Sequence, residues 1–287
     1  MKRFFISLFL LIAVSCGKNG LYIHMDNTMW EITNEEQSGW LSFPDEEHVS
    51  LLQINHEEKA YRTMNGTYTV DGHRVIMSMD DNVIKATRTF SHLKNSSNKN
   101  YRKPSPLAPK KLKGSLWVGL KERNLRFIYF SDDSVCKEGH FENVSHKEGF
   151  PYGWSWKQVN FSAAGSQLQI DGEDAVFYES FLRFNSTLIP MVSSLEEETT
   201  PSTSSLKGTV WTYETKSYPG FIIFTSASEF TRVLVQSDVS FITLQGTYTL
   251  KGNSLEFKTD SKELNQICSI SGGKFTYLER TYSKSPF

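Results

Sequence analysis

The sequence predicts an all-β protein: three tandem small meander barrels or sandwiches of about six antiparallel strands each. Three observations predict it. Trp followed by Phe at offset 13 and Gly at offset 36 or 35 occurs at Trp30/Phe43/Gly66, Trp117/Phe130/Gly153 and Trp211/Phe224/Gly246, a threefold internal repeat. Short β-branched and aromatic runs alternate with turn residues, and beyond residue 15 no segment keeps a 3.6-residue apolar stripe over three turns. Two polar, proline-containing stretches, 93–113 and 187–207, fall between the copies.

Residues 1–15 carry Lys2-Arg3, an apolar run and the small residues Ala13-Val14-Ser15, which reads as a secretory signal peptide. Cys16 follows directly. It resembles the cysteine of a bacterial lipobox, and the resemblance implies lipidation on sulfur and a new N-terminus there. Ala13-Val14-Ser15 also fits an ordinary small-x-small cleavage site, which leaves a plain secreted protein as the other reading. Residues 16–27 then form the anchor and tether.

The units are expected at 28–92, 114–186 and 208–284. In each, the Trp of the first strand fills the middle of a small core, and the Phe ends a second strand. Apolar runs such as Phe221-Ile222-Ile223 read as buried on both faces. Gly66 and Gly246 begin Gly-Thr-Tyr-Thr inside a long strand, where a missing Cβ permits a bulge or sharp bend. Asp71-Gly72 marks a tight hairpin. In the third unit the expected strands are 209–213, 221–225, 229–236, 240–250, 255–259 and 274–282. Six strands close around side chains alone, so no internal lipid or pigment cavity is expected.

The linkers differ in charge. Residues 93–114 hold seven bases and no acid, whereas 26–92 hold twelve acids and five bases. The basic linker reads as a solvated spacer or as a contact with anionic headgroups. Residues 187–207 are rich in Ser, Thr and Glu. After removal of Lys2 and Arg3, 29 bases face 32 acids, and nothing global points to nucleic acid.

The residues that carry chemistry are scattered. No His-Glu-x-x-His or paired Cys-x-x-Cys occurs, so no metal or other cofactor is expected; Cys136, His140 and His146 come nearest to a metal set. Cys136 and Cys268 fall in different units and read as unpaired buried thiols. Adjacent acids such as Asp80-Asp81 point to opposite faces of a strand, and Gly-x-Ser-x-Gly is absent, so a non-enzyme is expected. Tyr152, Trp154 and Trp156 alternate on one strand, where the other units have Gly-Thr-Tyr-Thr. Facing outward, this ladder would stack on sugar rings or a partner; facing inward, it is core.

Gly-Ser/Thr-x-Trp at the start of a unit and Gly-Thr-Tyr-Thr in its middle resemble the lipocalin-like domains that Bacteroidota lipoproteins carry, some in tandem. The resemblance implies a lipid-anchored protein of the cell envelope, at the outer membrane on its periplasmic face. The expected function is a non-enzymatic binding or interaction module for a glycan, peptide or partner protein, its units strung along the membrane. An envelope-assembly role is the alternative, and a hydrolase with carboxylates assembled by folding the second.

Overall fold

The computed structural model describes residues 24–286 except 90, 98, 122–123, 143–152, 186, 194–205, 214–217 and 238. Cys16 and Tyr152 lie outside these residues. The all-β class holds, with eight strands per unit instead of six. Unit one comprises β1 (Thr28–Thr33), β2 (Gln37–Phe43), β3 (His48–Asn55), β4 (Ala60–Asp71), β5 (Arg74–Met79), β6 (Asn82–Arg88), β7 (His92–Asn95) and β8 (Asn100–Arg102). Consecutive strands pair antiparallel and β8 returns to β1 through Arg102 and Glu31, which closes the barrel.

Unit two is the closed barrel β9 (Leu116–Lys121), β10 (Asn124–Phe130), β11 (Val135–Glu142), β12 (Gly153–Ala164), β13 (Gln167–Ile170), β14 (Glu173–Phe177), β15 (Phe181–Phe184) and β16 (Thr187–Ser193). Unit three comprises β17 (Val210–Tyr213), β18 (Gly220–Ile223), β19 (Glu229–Ser237), β20 (Ser240–Lys251), β21 (Ser254–Lys258), β22 (Gln266–Ser269), β23 (Lys274–Tyr277) and β24 (Arg280–Lys284). Its ladder runs from β23 through β24 and β17 to β22, with no pairing between β22 and β23.

The missed strands have a physical reason. The expected strand 274–282 is a hairpin, turned at Leu278 and Glu279, whose φ values are 48° and 62°. Non-glycine residues supply the positive φ there, so no Asn-Gly or Asp-Gly announces the turn. The expected linkers also contain strands. Residues 93–102 supply most of β7 and all of β8, while 187–193 form β16, the strand that closes barrel two. The remainder of the first linker is strapped to barrel two: Leu107 N–H donates to Phe177 O at 3.0 Å, and Glu179 N–H donates to Leu107 O at 2.9 Å.

Each barrel has its own filled core. Trp30, Trp117 and Trp211 sit at the centres, and each indole N–H donates to a hydroxyl two residues earlier: Thr28 at 3.1 Å, Ser115 at 2.8 Å and Thr209 at 2.9 Å. Those hydroxyls in turn donate to the carbonyls of Met25, Leu112 and Leu206. The recurring Ser/Thr-x-Trp is therefore a relay that satisfies a buried indole. Phe43 and Phe224 pack edge-on against Tyr68 and Tyr248, with centroids 4.8 and 4.6 Å apart.

A fourth core joins the barrels. The outer faces of all three units meet in one apolar cluster: Trp40, Leu52 and Tyr61 from barrel one, Phe127, Phe141 and Phe181 from barrel two, and Phe221, Val233 and Phe241 from barrel three. Trp40 lies 5.0 Å from Phe181, Phe127 4.4 Å from Phe221, and Tyr61 stacks on Phe241 at 4.6 Å. Strands β4 and β20 pair directly, Tyr61 opposite Phe241. The three units, two closed barrels and one eight-stranded barrel left open between β22 and β23, pack together, and the runs buried on both faces are where they meet.

Cys136 and Cys268 are free and buried in the cores of barrels two and three. Desolvation pushes their pKa values from 9.0 to about 12 and about 11. Both stay neutral in the folded chain while the unfolded chain ionises, so the stability present below pH 9 falls as pH rises toward 12. At pH 8 neither thiol should react with an aromatic disulfide reagent in the native protein, and both should react in guanidinium chloride. Rapid labelling of either thiol without denaturant would contradict its burial.

Candidate binding cup and the aromatic ladder

Register places the residues of the three barrels in matching layers. In barrel one the floor layer is Trp30, Leu41, Leu51 and Met64 across β1 to β4. Above it lie Ile32, Gly39, Gln53 and Arg62, and above those Gln37, Asn55 and Ala60. These upper layers surround a cavity of about 270 Å³, completed by Tyr101 and Lys99 near β8, Glu58, and Ser240 of barrel three.

Strand β4 serves barrels one and three at the level of the cup. Its later half, from Gly66, pairs with β5, while residues 60–62 pair with β20. At Gly66 a Cβ would stand 1.9 Å from Ser78 O, so only glycine lets the two backbones come this close. Before that point β4 is free of β5, and its first residues pair with β20. Gly39 adds no side chain to the mouth.

The opposite end is plugged. Arg88 and Lys103 each stand 5.5 Å from the Trp30 ring centroid, and Arg88 also donates to His24 O, where the chain enters the barrel. The cup thus lies at the end of the barrel opposite His24.

The equivalent layer is filled in the other barrels. In barrel two it reads Gly119, Arg126, His140 and Ser155; the Arg126 guanidinium pairs with Glu138 at 2.6 Å and lies 4.1 Å over the Phe184 ring. In barrel three it reads Tyr213, Gly220, Leu234 and Ile242. Only barrel one places an amide and a guanidinium, Gln53 and Arg62, at these inward positions. Among the described residues neither side chain has a protein partner. Burial pushes the Tyr101 hydroxyl pKa up, partly offset by a hydrogen bond with Asn95.

The aromatic ladder lies elsewhere. Trp154 and Trp156 sit on the outer face of barrel two, stacked at 5.2 Å, and pack against the shared core. Trp154 is 5.4 Å from Phe141 and 5.9 Å from Phe221 of barrel three. The pair therefore covers a junction between barrels, outside either barrel's interior. Tyr152 falls outside the described residues.

Register also corrects the reason these residues stood out. Val49 pairs with Gly66 and Phe230 with Gly246, but the corresponding Cys136 pairs with Val159. The counterpart of Gly-Thr-Tyr-Thr is Val159-Asn160-Phe161-Ser162, and Phe161 meets Phe130 edge-on at 4.8 Å as the tyrosines do. A longer β11–β12 connection displaces the count, so Gly153 matches Gly66 by spacing alone. Trp154 instead occupies the position of Tyr61 and Phe241, the two aromatics that join barrels one and three.

Other sequence candidates do not converge. Cys136 lies inside barrel two, His140 Nδ1 approaches Glu142 at 3.6 Å, and His146 is outside the described residues. Among the described residues no three His, Cys, Asp or Glu side chains cluster as metal ligands, and no helix is long and apolar enough to cross a membrane. The cup is absent from the sequence reading because each of its layers takes one residue from each of several strands, with no local motif.

No family model and no curated protein matches the chain. Among solved structures, the DNA polymerase III subunit beta of Pseudomonas aeruginosa aligns over 92% of this chain and 93% of its own, at 7% identity and a TM-score of 0.15. The beta chain from Streptococcus pneumoniae TIGR4 aligns over 91% of each chain, at 7% identity and a TM-score of 0.14. Scores this low carry no argument about fold or activity.

Proposed function

We propose that this protein is a membrane-tethered, non-enzymatic binding module of the bacterial cell envelope, held by a lipid on Cys16 and binding a small glycan-derived ligand in the cup of barrel one. The observation that carries this reading is the difference between copies. Two barrels fill the mouth layer with an ion pair or apolar side chains, whereas barrel one leaves a cavity lined by Gln53 and Arg62, whose side chains have no protein partner among the described residues. A mouth of a β-barrel with a few convergent polar groups is a common setting for small-ligand sites.

His24, where the described chain enters barrel one, and the cup lie at opposite ends of that barrel, and a tether leading to His24 would suit capture on the side facing away from the membrane. The shared core makes the three barrels one body, so barrels two and three act as the mount that fixes strand β4. The ladder of Trp154 and Trp156 belongs to that mount in this reading.

The tether is tested by Cys16→Ala in a bacterial host that processes lipoproteins. The wild type should fractionate with membranes and incorporate labelled palmitate, and its precursor should accumulate under globomycin. The variant should lose the label and leave the membrane fraction. Normal membrane attachment of Cys16→Ala would sink the lipid anchor, leaving the cup as a separate question.

A further inference from the structure

We infer that the cup of barrel one selects an anionic sugar, a pyranose carrying a carboxylate, with Arg62 and Lys99 holding the carboxylate. This rests on the binding-cup reading and deepens it. Both cations line the cavity, and among the described residues neither the Arg62 guanidinium nor the Lys99 ammonium is neutralised by an ion pair. One acid, Glu58, lines the same cavity, so the cations exceed the acids. A guanidinium presents a planar fork of donors that matches a carboxylate two bonds at a time.

The rest of the lining suits the remainder of such a ligand. Gln37, Gln53 and Asn55 carry amides, each offering donors and an acceptor together, which is what neighbouring hydroxyl groups require. Tyr101 supplies an aromatic wall, and Leu51 with Ile32 an apolar floor for the carbon face of a ring. A volume of about 270 Å³ accommodates one sugar ring with bound water. A free inorganic anion would leave the amides and the floor unused. The neighbouring barrels show what loss of this specificity looks like: Arg126 of barrel two is already neutralised by Glu138, and barrel three replaces Gln53 and Arg62 by Leu234 and Ile242.

Calorimetric titration of the purified full chain in detergent tests the assignment, with D-glucuronate, D-galacturonate, D-glucose and inorganic phosphate as probes. At least one hexuronate should bind about tenfold or more tightly than glucose, and phosphate should bind weakly. Arg62→Gln should remove that tenfold preference while leaving glucose unchanged. The double substitution Gln53→Leu, Arg62→Ile, which installs the barrel-three pair, should abolish hexuronate binding with an unchanged thermal midpoint. Equal binding of glucose and the hexuronates, or a preference that survives Arg62→Gln, would overturn the anionic assignment while the cup itself stands. Phosphate binding as tight as a hexuronate would overturn the sugar. Absence of heat with every probe, or hexuronate binding unaffected by the double substitution, would overturn both the ligand class and the cup.

Discussion

Phe127→Ala should destabilise the entire chain, by about 3–5 kcal/mol for loss of a fully buried aromatic. Phe127 is fully buried, yet it points out of barrel two. Its ring lies on Gly139, where a Cβ would come within 2.2 Å of it, and meets Phe221 of barrel three at 4.4 Å. Trp154 and Trp156 flank it at 5.9 and 6.2 Å. In a chain of this size the loss corresponds to a fall in thermal midpoint of roughly 6–20 °C. Scanning calorimetry should show one transition for the wild type, because the shared core and the β4–β20 ladder couple the barrels. Separate transitions in the wild type, or a variant shift below about 2 °C, would mean that the barrels behave as independent beads.

The second large effect is expected at Gly66 and Gly246. A Cβ at Gly66 would lie 1.9 Å from Ser78 O and 2.8 Å from Met79 Cα; at Gly246 it would lie 2.2 Å from Lys258 O. These obstacles are backbone of the paired strand and cannot rotate aside. Alanine at either position forces the ladder apart, with an expected cost of about 1–3 kcal/mol or more. Thermal melts of the two single variants measure it, and an unchanged midpoint in either would show that the strand pair opens freely. Gly66→Ala has a further consequence. It disturbs the point where β4 leaves barrel one for barrel three, so it should also weaken any ligand bound in the cup.

These two expectations show which parts of the fold could be read in the chain. Trp, Phe and the hydroxyl before Trp are local requirements of one small core, and they recur in order in all three units. The hairpin at Asp71-Gly72 and the close approach at Gly66 and Gly246 have local signatures too. The eighth strand of each unit does not. Strand β8 is only Asn100–Arg102, inside a basic stretch that resembles a spacer, and the β23–β24 turn is made by Leu278 and Glu279. A short strand whose identity comes from the strands on either side leaves no periodicity of its own.

The aromatic ladder gives the same lesson at a finer scale. Trp154 and Trp156 were visible as alternating rings, but spacing aligned them with the wrong strand positions. The register of β11 against β12 moves the true counterpart of Gly66 to Val159 and assigns Trp154 to the joint between barrels. The run Phe221-Ile222-Ile223 reads in the sequence as buried on both faces, and one of those faces lies in that joint. A continuous apolar run tells that both faces of a strand are buried; it carries no information about what buries the second face.

By itself, then, the sequence determined an all-β chain of three repeated units with a tryptophan at the heart of each, because those features arise from residues close together in the chain. Tertiary structure decided the strand number, the fusion of three barrels around one core, and the cup. Each of these depends on residues far apart in sequence, such as Arg62 opposite both Gln53 and Ser240. Which partner a strand edge or an outer face finds is settled only when the whole chain packs, and there barrel one is left with an open mouth that its two copies fill.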